Sequence, residues 1–149
     1  DMAQLHFWRE QFLAEKLDSM WLPKAEALLQ KHRDQGHTLM IITATNDFVT
    51  APLADRLGVD HLIATVAECR RERYTGDVAG TPSYREGKVE RLAEWLSANN
   101  ETLENSWFYS DSHNDLPLLR KVDNPVAVDP DSALEREARE QGWPVISLR

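Results

Sequence analysis

The chain has 149 residues, 42% of them hydrophobic and 28% charged, with a net charge of −8. That length suits one domain with a core of its own, and the acidic balance argues against a nucleic-acid surface, which needs a Lys/Arg footprint. The single cysteine, Cys69, excludes an internal disulfide and fits a reducing, cytoplasmic setting, no apolar run is long enough to span a bilayer, and no signal peptide is visible.

The chain opens Asp1-Met2, without an initiator methionine and directly in helical pattern, so the N-terminus reads as a cut edge. Leu5, Trp8, Phe12 and Leu13 recur at helical spacing and predict an amphipathic helix over about 3–18. A second helix follows Pro23, which suits a first turn. Its apolar face is Ala25, Leu28 and Leu29, and it ends near Gly36. "TLMIIT", Thr38 to Thr43, is a short apolar run that reads as a strand buried on both faces. Asp47 to Leu57 is helical and stops at Gly58, and "HLIATV" is a second strand. From Glu68 to Tyr84 the Gly-, Thr- and Pro-rich pattern reads as a hairpin or flap. Glu86 to Leu96 is a helix with Val89, Leu92, Ala93 and Leu96 on one face. "SWFYS" is a strand, Asp115 to Arg120 a short helix, and "NPVAV" a strand. Ser132 to Gln141 is a helix closed by Gly142, and "PVISL" is the last strand. Strand and helix therefore alternate from about residue 38 onward, which predicts an α/β fold with an open, mostly parallel sheet and flanking helices.

In such sheets ligands bind at the carboxyl ends of the strands. Thr43, Ala44, Thr45 and Asn46 follow one strand, and Asp111, His113, Asn114 and Asp115 follow another; Lys88 lies near the start of the helix after the flap. Each residue has an ordinary reading. Thr43 and Thr45 can cap the helix that begins near Asp47. Lys88 alone is a solvated helix lysine, and Asp111 to Asp115 can be turn and cap residues with a solvent-facing His113. His6, His32, His37 and His61 show no metal-ligand spacing. Together, the hydroxyl, the ammonium and the carboxylates form a set suited to phosphoryl transfer. Carboxylates are the hard ligands that Mg²⁺ prefers, and lysine, hydroxyl and backbone N–H groups suit phosphate oxygens.

"LMIITATNDFV", "REGKVERLAEWL" and "WFYSDSHNDLPLL" resemble the second, third and fourth motifs of the haloacid dehalogenase superfamily of phosphohydrolases. The likeness is closest to the phosphoserine-phosphatase-like subfamily, whose helical cap lies between the first and second motifs. The resemblance implies a Rossmann-like core over 21–149 that lacks its first strand, with a gap between the strands that would flank it. It implies that residues 1–20 are the C-terminal part of the cap. It further implies that Thr43, Ala44, Lys88 and Asn114 bind phosphate, and that Asp111, with help from Asp115, binds Mg²⁺, Asp115 orienting the metal's water shell or Lys88. Lys88 and Asp115 would be the catalytic pair. The family's first motif, whose two aspartates are nucleophile and general acid, has no counterpart ahead of the other motifs. Asp129-x-Asp131-x-Ala133 is the nearest match, and it reads as a loop and N-cap.

These implications add up to an Mg²⁺-dependent phosphatase of a small phosphorylated metabolite, of phosphoserine or histidinol phosphate type, acting through an aspartyl-phosphate, with the nucleophile outside these residues. Two alternatives stay open: a non-catalytic phosphate- or metal-binding domain, and a receiver-type signalling domain, in which the lysine follows a strand directly.

Overall fold

The computed structural model describes residues 1–149. Helix α1 runs Met2–Met20 and α2 runs Pro23–Asp34. Strand β1 (Met40–Asn46), helix α3 (Asp47–Leu57) and strand β2 (His61–Thr65) form the first α/β unit. An antiparallel hairpin, β3 (Ala67–Arg70) and β4 (Arg73–Val78), leads to α4 (Glu86–Asn99). Then come β5 (Trp107–Ser110), a 3₁₀ turn His113–Asp115, α5 (Leu116–Leu119), β6 (Asn124–Val128), α6 (Ser132–Gln141) and β7 (Val145–Ile146).

The parallel strands form two separate ladders. β1 pairs with β2, and β5, β6 and β7 pair in that order; no backbone bond joins the two sets. Helices bridge them instead. α4 packs on β1, β2 and α5, while His32 of α2 places Nε2 2.7 Å from the Tyr109 hydroxyl on β5. The fully buried core lies in the three-stranded half, where Leu119, Ala127, Leu134 and Ala138 pack with Phe108, Leu116 and Trp143. Only 18 of the 149 residues are buried, a thin core for a domain of this length.

Local chemistry accounts for the ends of the elements. Gly58 and Gly142 close α3 and α6 in the left-handed conformation, and Asn46 and Asp131 cap their starts. The cap of α3 is therefore Asn46, whose Oδ1 accepts from the Val49 N–H at 3.0 Å, and not Thr43 or Thr45. The last strand is shorter than "PVISL", because only Val145 and Ile146 reach β6.

The apolar face of α1 differs from the one its sequence suggests. Leu13 and Leu17 are buried, whereas Phe7, Trp8 and Phe12 are 59%, 53% and 45% exposed. On α4 the buried residue is Lys88, while Ala93, assigned from its spacing to the apolar face, is exposed. Both differences have one cause. Helical periodicity finds the apolar stripe, but what stands opposite each turn is set by other elements.

Candidate active site

Three chain segments carry the residues concerned: the ends of β1 and β5 and the start of α4. The first is the end of β1. Its register against β2 is broken between Ile42 and Asn46, which takes Thr43, Ala44 and Thr45 off the regular ladder. Such irregularities recur next to active sites, because they re-aim backbone groups. Thr43 is half-buried and its Oγ1 accepts from the Thr45 N–H at 3.1 Å; Ala44 and Thr45 are exposed.

The second segment is the turn after β5. Ser110, Ser112 and Asp115 lock it together. The Ser110 hydroxyl donates to Asp115 Oδ2 at 2.6 Å, the Ser112 N–H donates to Ser110 Oγ, and the Asn114 N–H donates to Ser112 Oγ. Ser110 is a contributor that sequence reasoning passes over, since a serine ending an apolar strand carries no signal by itself. Asp111 is exposed and no protein donor reaches its carboxylate, while its backbone carbonyl accepts from the Asp131 N–H at 2.8 Å.

The third segment is the start of α4. Lys88 Nζ lies 2.6 Å from Asp115 Oδ1, with side chains 8% and 10% exposed. Lys88 is thus no solvated helix lysine. Burying two charges is costly unless each is paired and hydrogen-bonded, and here the carboxylate has both oxygens occupied, one by Lys88 and one by Ser110. Ahead of Lys88, Arg85 and Tyr84 both donate to Asn114 Oδ1.

The bonded groups are therefore Lys88 with Asp115 and Ser110, and Asn114 with Tyr84 and Arg85. Thr43 and Ala44 stand at the other ladder's edge and make no hydrogen bond to them. His113 is exposed, with Nδ1 2.8 Å from Asp131 Oδ2. Asp131 also accepts from the N–H groups of His113, Ala133 and Leu134. Burial works to raise the Asp131 pKa, but these donors prevail and hold it down to about 2. Asp129 Oδ2 accepts from the Leu148 N–H at 3.0 Å. Both carboxylates of the Asp129-x-Asp131 stretch serve as loop and cap anchors.

Elsewhere, His32 Nδ1 meets His37 Nδ1 at 2.8 Å beneath Tyr109. Burial, then His37 and Lys31, lower the pKa of His32, and burial raises that of Tyr109. No group of three His, Cys, Asp or Glu side chains stands close enough to hold a metal ion. A site for Mg²⁺ on these residues alone is therefore partial. The donor chemistry still suits the ion, because the unengaged Asp111 carboxylate is a hard oxygen ligand beside a fixed turn. No helix is long and apolar enough to cross a membrane.

Comparisons with known proteins bear on the family and the fold. The model of the haloacid dehalogenase-like hydrolase family matches residues 1–120. The histidinol-phosphatase of Neisseria meningitidis is 42% identical over 153 residues, covering 100% of this chain and 68% of that protein. The phosphoserine phosphatase SerB1 of Mycobacterium tuberculosis is 36% identical over 132 residues, covering 89% of this chain and 42% of that protein. The crystal structure of a Bordetella pertussis Tohama I protein with unknown function superposes with a TM-score of 0.94 at 43% identity, over 99% of this chain and 67% of that one. The chain thus spans between two fifths and about two thirds of the length of these proteins.

Proposed function

This chain belongs to the haloacid dehalogenase-like hydrolase family, and from that membership we propose that the site around Lys88, Asp111 and Asp115 serves Mg²⁺-dependent hydrolysis of a small phosphomonoester. The observation that carries the reading is the buried Lys88–Asp115 pair, set one turn from the unengaged carboxylate of Asp111. A buried ion pair is a costly arrangement for stability alone, and an ammonium held in place by a carboxylate suits a site that must balance phosphate charge.

In this reading Lys88 holds the phosphate and the attacking carboxylate by charge. Asp115, with both oxygens engaged, keeps Lys88 aimed and orders the water around the metal. Thr43 Oγ1, the Ala44 N–H and the Asn114 amide donate to phosphoryl oxygens, and Asp111 holds Mg²⁺. Bound there, Mg²⁺ would supply charge to offset that of the transferring phosphoryl group.

The nucleophile is an aspartate outside these 149 residues, on a strand that pairs between β1 and β5. Its carboxylate oxygen forms the new bond to phosphorus as the bond to the substrate's alcohol oxygen breaks, and a second aspartate two residues on protonates that oxygen. The second aspartate, now deprotonated, takes a proton from water as that water attacks phosphorus and the aspartyl–phosphate bond breaks, which releases inorganic phosphate and restores both carboxyl groups. Support comes from the split between the β1–β2 and β5–β6–β7 ladders and from relatives longer than this chain.

For substrate, the histidinol-phosphatase of Neisseria supports an amino-alcohol phosphate of the histidinol phosphate type, with phosphoserine next. A receiver-type domain is disfavoured because Lys88 stands in the first turn of α4 and not directly after a strand. A non-catalytic binding domain stays distinct by assay. The intact protein is mixed with histidinol phosphate, phosphoserine and p-nitrophenyl phosphate, with Mg²⁺ or with EDTA. Mg²⁺-dependent phosphate release, lost in Lys88→Ala, is expected. Phosphate binding without release from any of the three would leave the binding-domain reading instead.

A further inference from the structure

We propose that Tyr84 and Arg85 are positioning residues that clamp the side-chain oxygen of Asn114, so that its amide NH₂ is presented to a substrate phosphate oxygen. The proposal rests on the reading of Asn114 as a phosphate-binding residue and adds how that residue is aimed. Arg85 Nε lies 3.1 Å from Asn114 Oδ1, and the Tyr84 hydroxyl lies 3.2 Å from the same oxygen. An arginine Nε–H can only donate, so the Asn114 atom facing it must be the oxygen. That fixes which way the amide points, a choice that is otherwise ambiguous for asparagine. Two donors fill the two lone pairs of Oδ1, and no protein acceptor takes the Nδ2 hydrogens. All remaining hydrogen-bonding capacity of this side chain is therefore donor capacity, which is what an anionic phosphoryl oxygen needs.

The placement is also specific. Asn114 is the middle residue of the 3₁₀ turn, and the next residue, Asp115, holds Lys88. The clamp comes from the loop that starts the helix of Lys88, so one loop sets both phosphate donors. That loop is under strain. Arg85 has φ 48° and ψ −121°, a conformation side-chain-bearing residues rarely adopt. Strain of this kind persists where surrounding structure over-determines it. Here the Tyr84 N–H is held by Pro82 O, the Gly87 N–H by Tyr84 O and the Lys88 N–H by Arg85 O. The Arg85 guanidinium lies 5.1 Å from the Tyr84 ring centre, so the two clamp residues brace each other. Arg85 forms no ion pair with any carboxylate, so neutralising an acid is not its task.

The test uses the intact protein, turnover of p-nitrophenyl phosphate, and inhibition by inorganic phosphate as a binding readout. Arg85→Met removes the donor. Arg85→Gln removes the charge but places an N–H donor the same number of bonds from Cβ as Nε. Arg85→Met should raise KM and weaken phosphate inhibition about tenfold, with a smaller change in kcat. Arg85→Gln should recover to within about threefold of the starting protein. In an Asn114→Ala background, Arg85→Met should add less than about twofold, because residues that act through one another are not additive. Tyr84→Phe should weaken phosphate inhibition by about two- to threefold, and it carries the test if Arg85→Met does not fold. Arg85→Gln as impaired as Arg85→Met, or full additivity with Asn114→Ala, would overturn the clamp while leaving the phosphatase reading in place. An Asn114→Ala protein with unchanged KM and phosphate inhibition would remove the role of Asn114 itself, and the clamp with it. A protein with no turnover of any phosphomonoester would instead sink the phosphatase reading.

Discussion

Lys88 and Asp115 form a buried ion pair, Nζ to Oδ1 2.6 Å, that ties the first turn of α4 to the turn after β5. Removing one partner leaves the other charged and uncompensated in the interior. Lys88→Met should therefore destabilise the fold by about 3–5 kcal/mol. Replacing both partners, as Lys88→Met with Asp115→Leu, should recover much of that loss, since an apolar pair of similar volume needs no compensation. Urea unfolding of the three proteins checks this. A Lys88→Met midpoint equal to that of the unmodified protein would mean the lysine is solvated after all.

Gly87 tests the loop that delivers Lys88. A Cβ at this position would stand 2.1 Å from the carbonyl oxygen of Pro82, a backbone atom that cannot swing aside. Gly87→Ala should cost about 1–3 kcal/mol through forced backbone displacement. It should also weaken phosphate inhibition of the intact protein, because the displaced loop carries Arg85 and Lys88. Thermal unfolding reads the first effect; no change in midpoint would contradict the close approach.

The His32–His37 pair predicts a pH dependence of stability. Burial leads the causes that lower the His32 pKa from 6.5, followed by the charges of His37 and Lys31. The unfolded chain then binds a proton that the folded chain resists. The stabilisation is complete above pH 6.5 and is lost as pH falls below it toward the folded value. Melting temperature measured from pH 7.5 down to 5 should fall, and His32→Gln should flatten that slope. An equal slope in the variant would assign the effect to other groups.

Asp131 should act at lower pH. Its pKa lies at about 2 in the fold against 3.8 ordinarily, so its contribution is present above 3.8 and disappears as pH drops through about 2. Asp131→Ala removes the α6 cap and should cost about 1 kcal/mol at neutral pH. The difference from the unmodified protein should shrink as the acid limit is approached, which a pH series of chemical denaturations would show.

For metal dependence, Asp111 is the residue to change. Its carboxylate touches no protein donor, so Asp111→Asn should leave the unfolding midpoint within about 0.5 kcal/mol. In the intact protein the same change should raise the Mg²⁺ concentration needed for half-maximal turnover by about tenfold or more, since a neutral amide is a weaker ligand than a carboxylate. An unchanged Mg²⁺ titration would move the metal away from Asp111.

Much of the α/β order was legible in the chain because its signals are local. Asp131 ahead of Ser132–Gln141 and Gly142 after it mark a helix by capping chemistry alone, and the structure has that helix at those bounds. "TLMIIT", "HLIATV", "SWFYS" and "NPVAV" are short apolar runs between turn signals, and each is a strand over most of its length. Less was legible on the faces of α1 and α4. Periodicity assigned Trp8 and Phe12 to a buried face, yet they are among the more exposed large side chains. A helix's own sequence reports that it has an apolar stripe, not which neighbours cover it.

The sequence by itself determined the alternation of strands and helices, the caps of α6, and the three motifs that resemble those of its family. These follow from interactions within a few residues and from residue types at fixed spacing. Tertiary structure alone decided that Lys88 is buried against Asp115, that Ser110 completes that pair, and that Tyr84 and Arg85 turn the amide of Asn114. The split of the parallel strands into two ladders, expected from the resemblance as a gap, is bridged in the fold by α2 and α4. The physical reason is range. A lysine in a helix is solvated unless a remote turn brings it a carboxylate, and an asparagine side chain has no direction until a donor from another segment claims its oxygen.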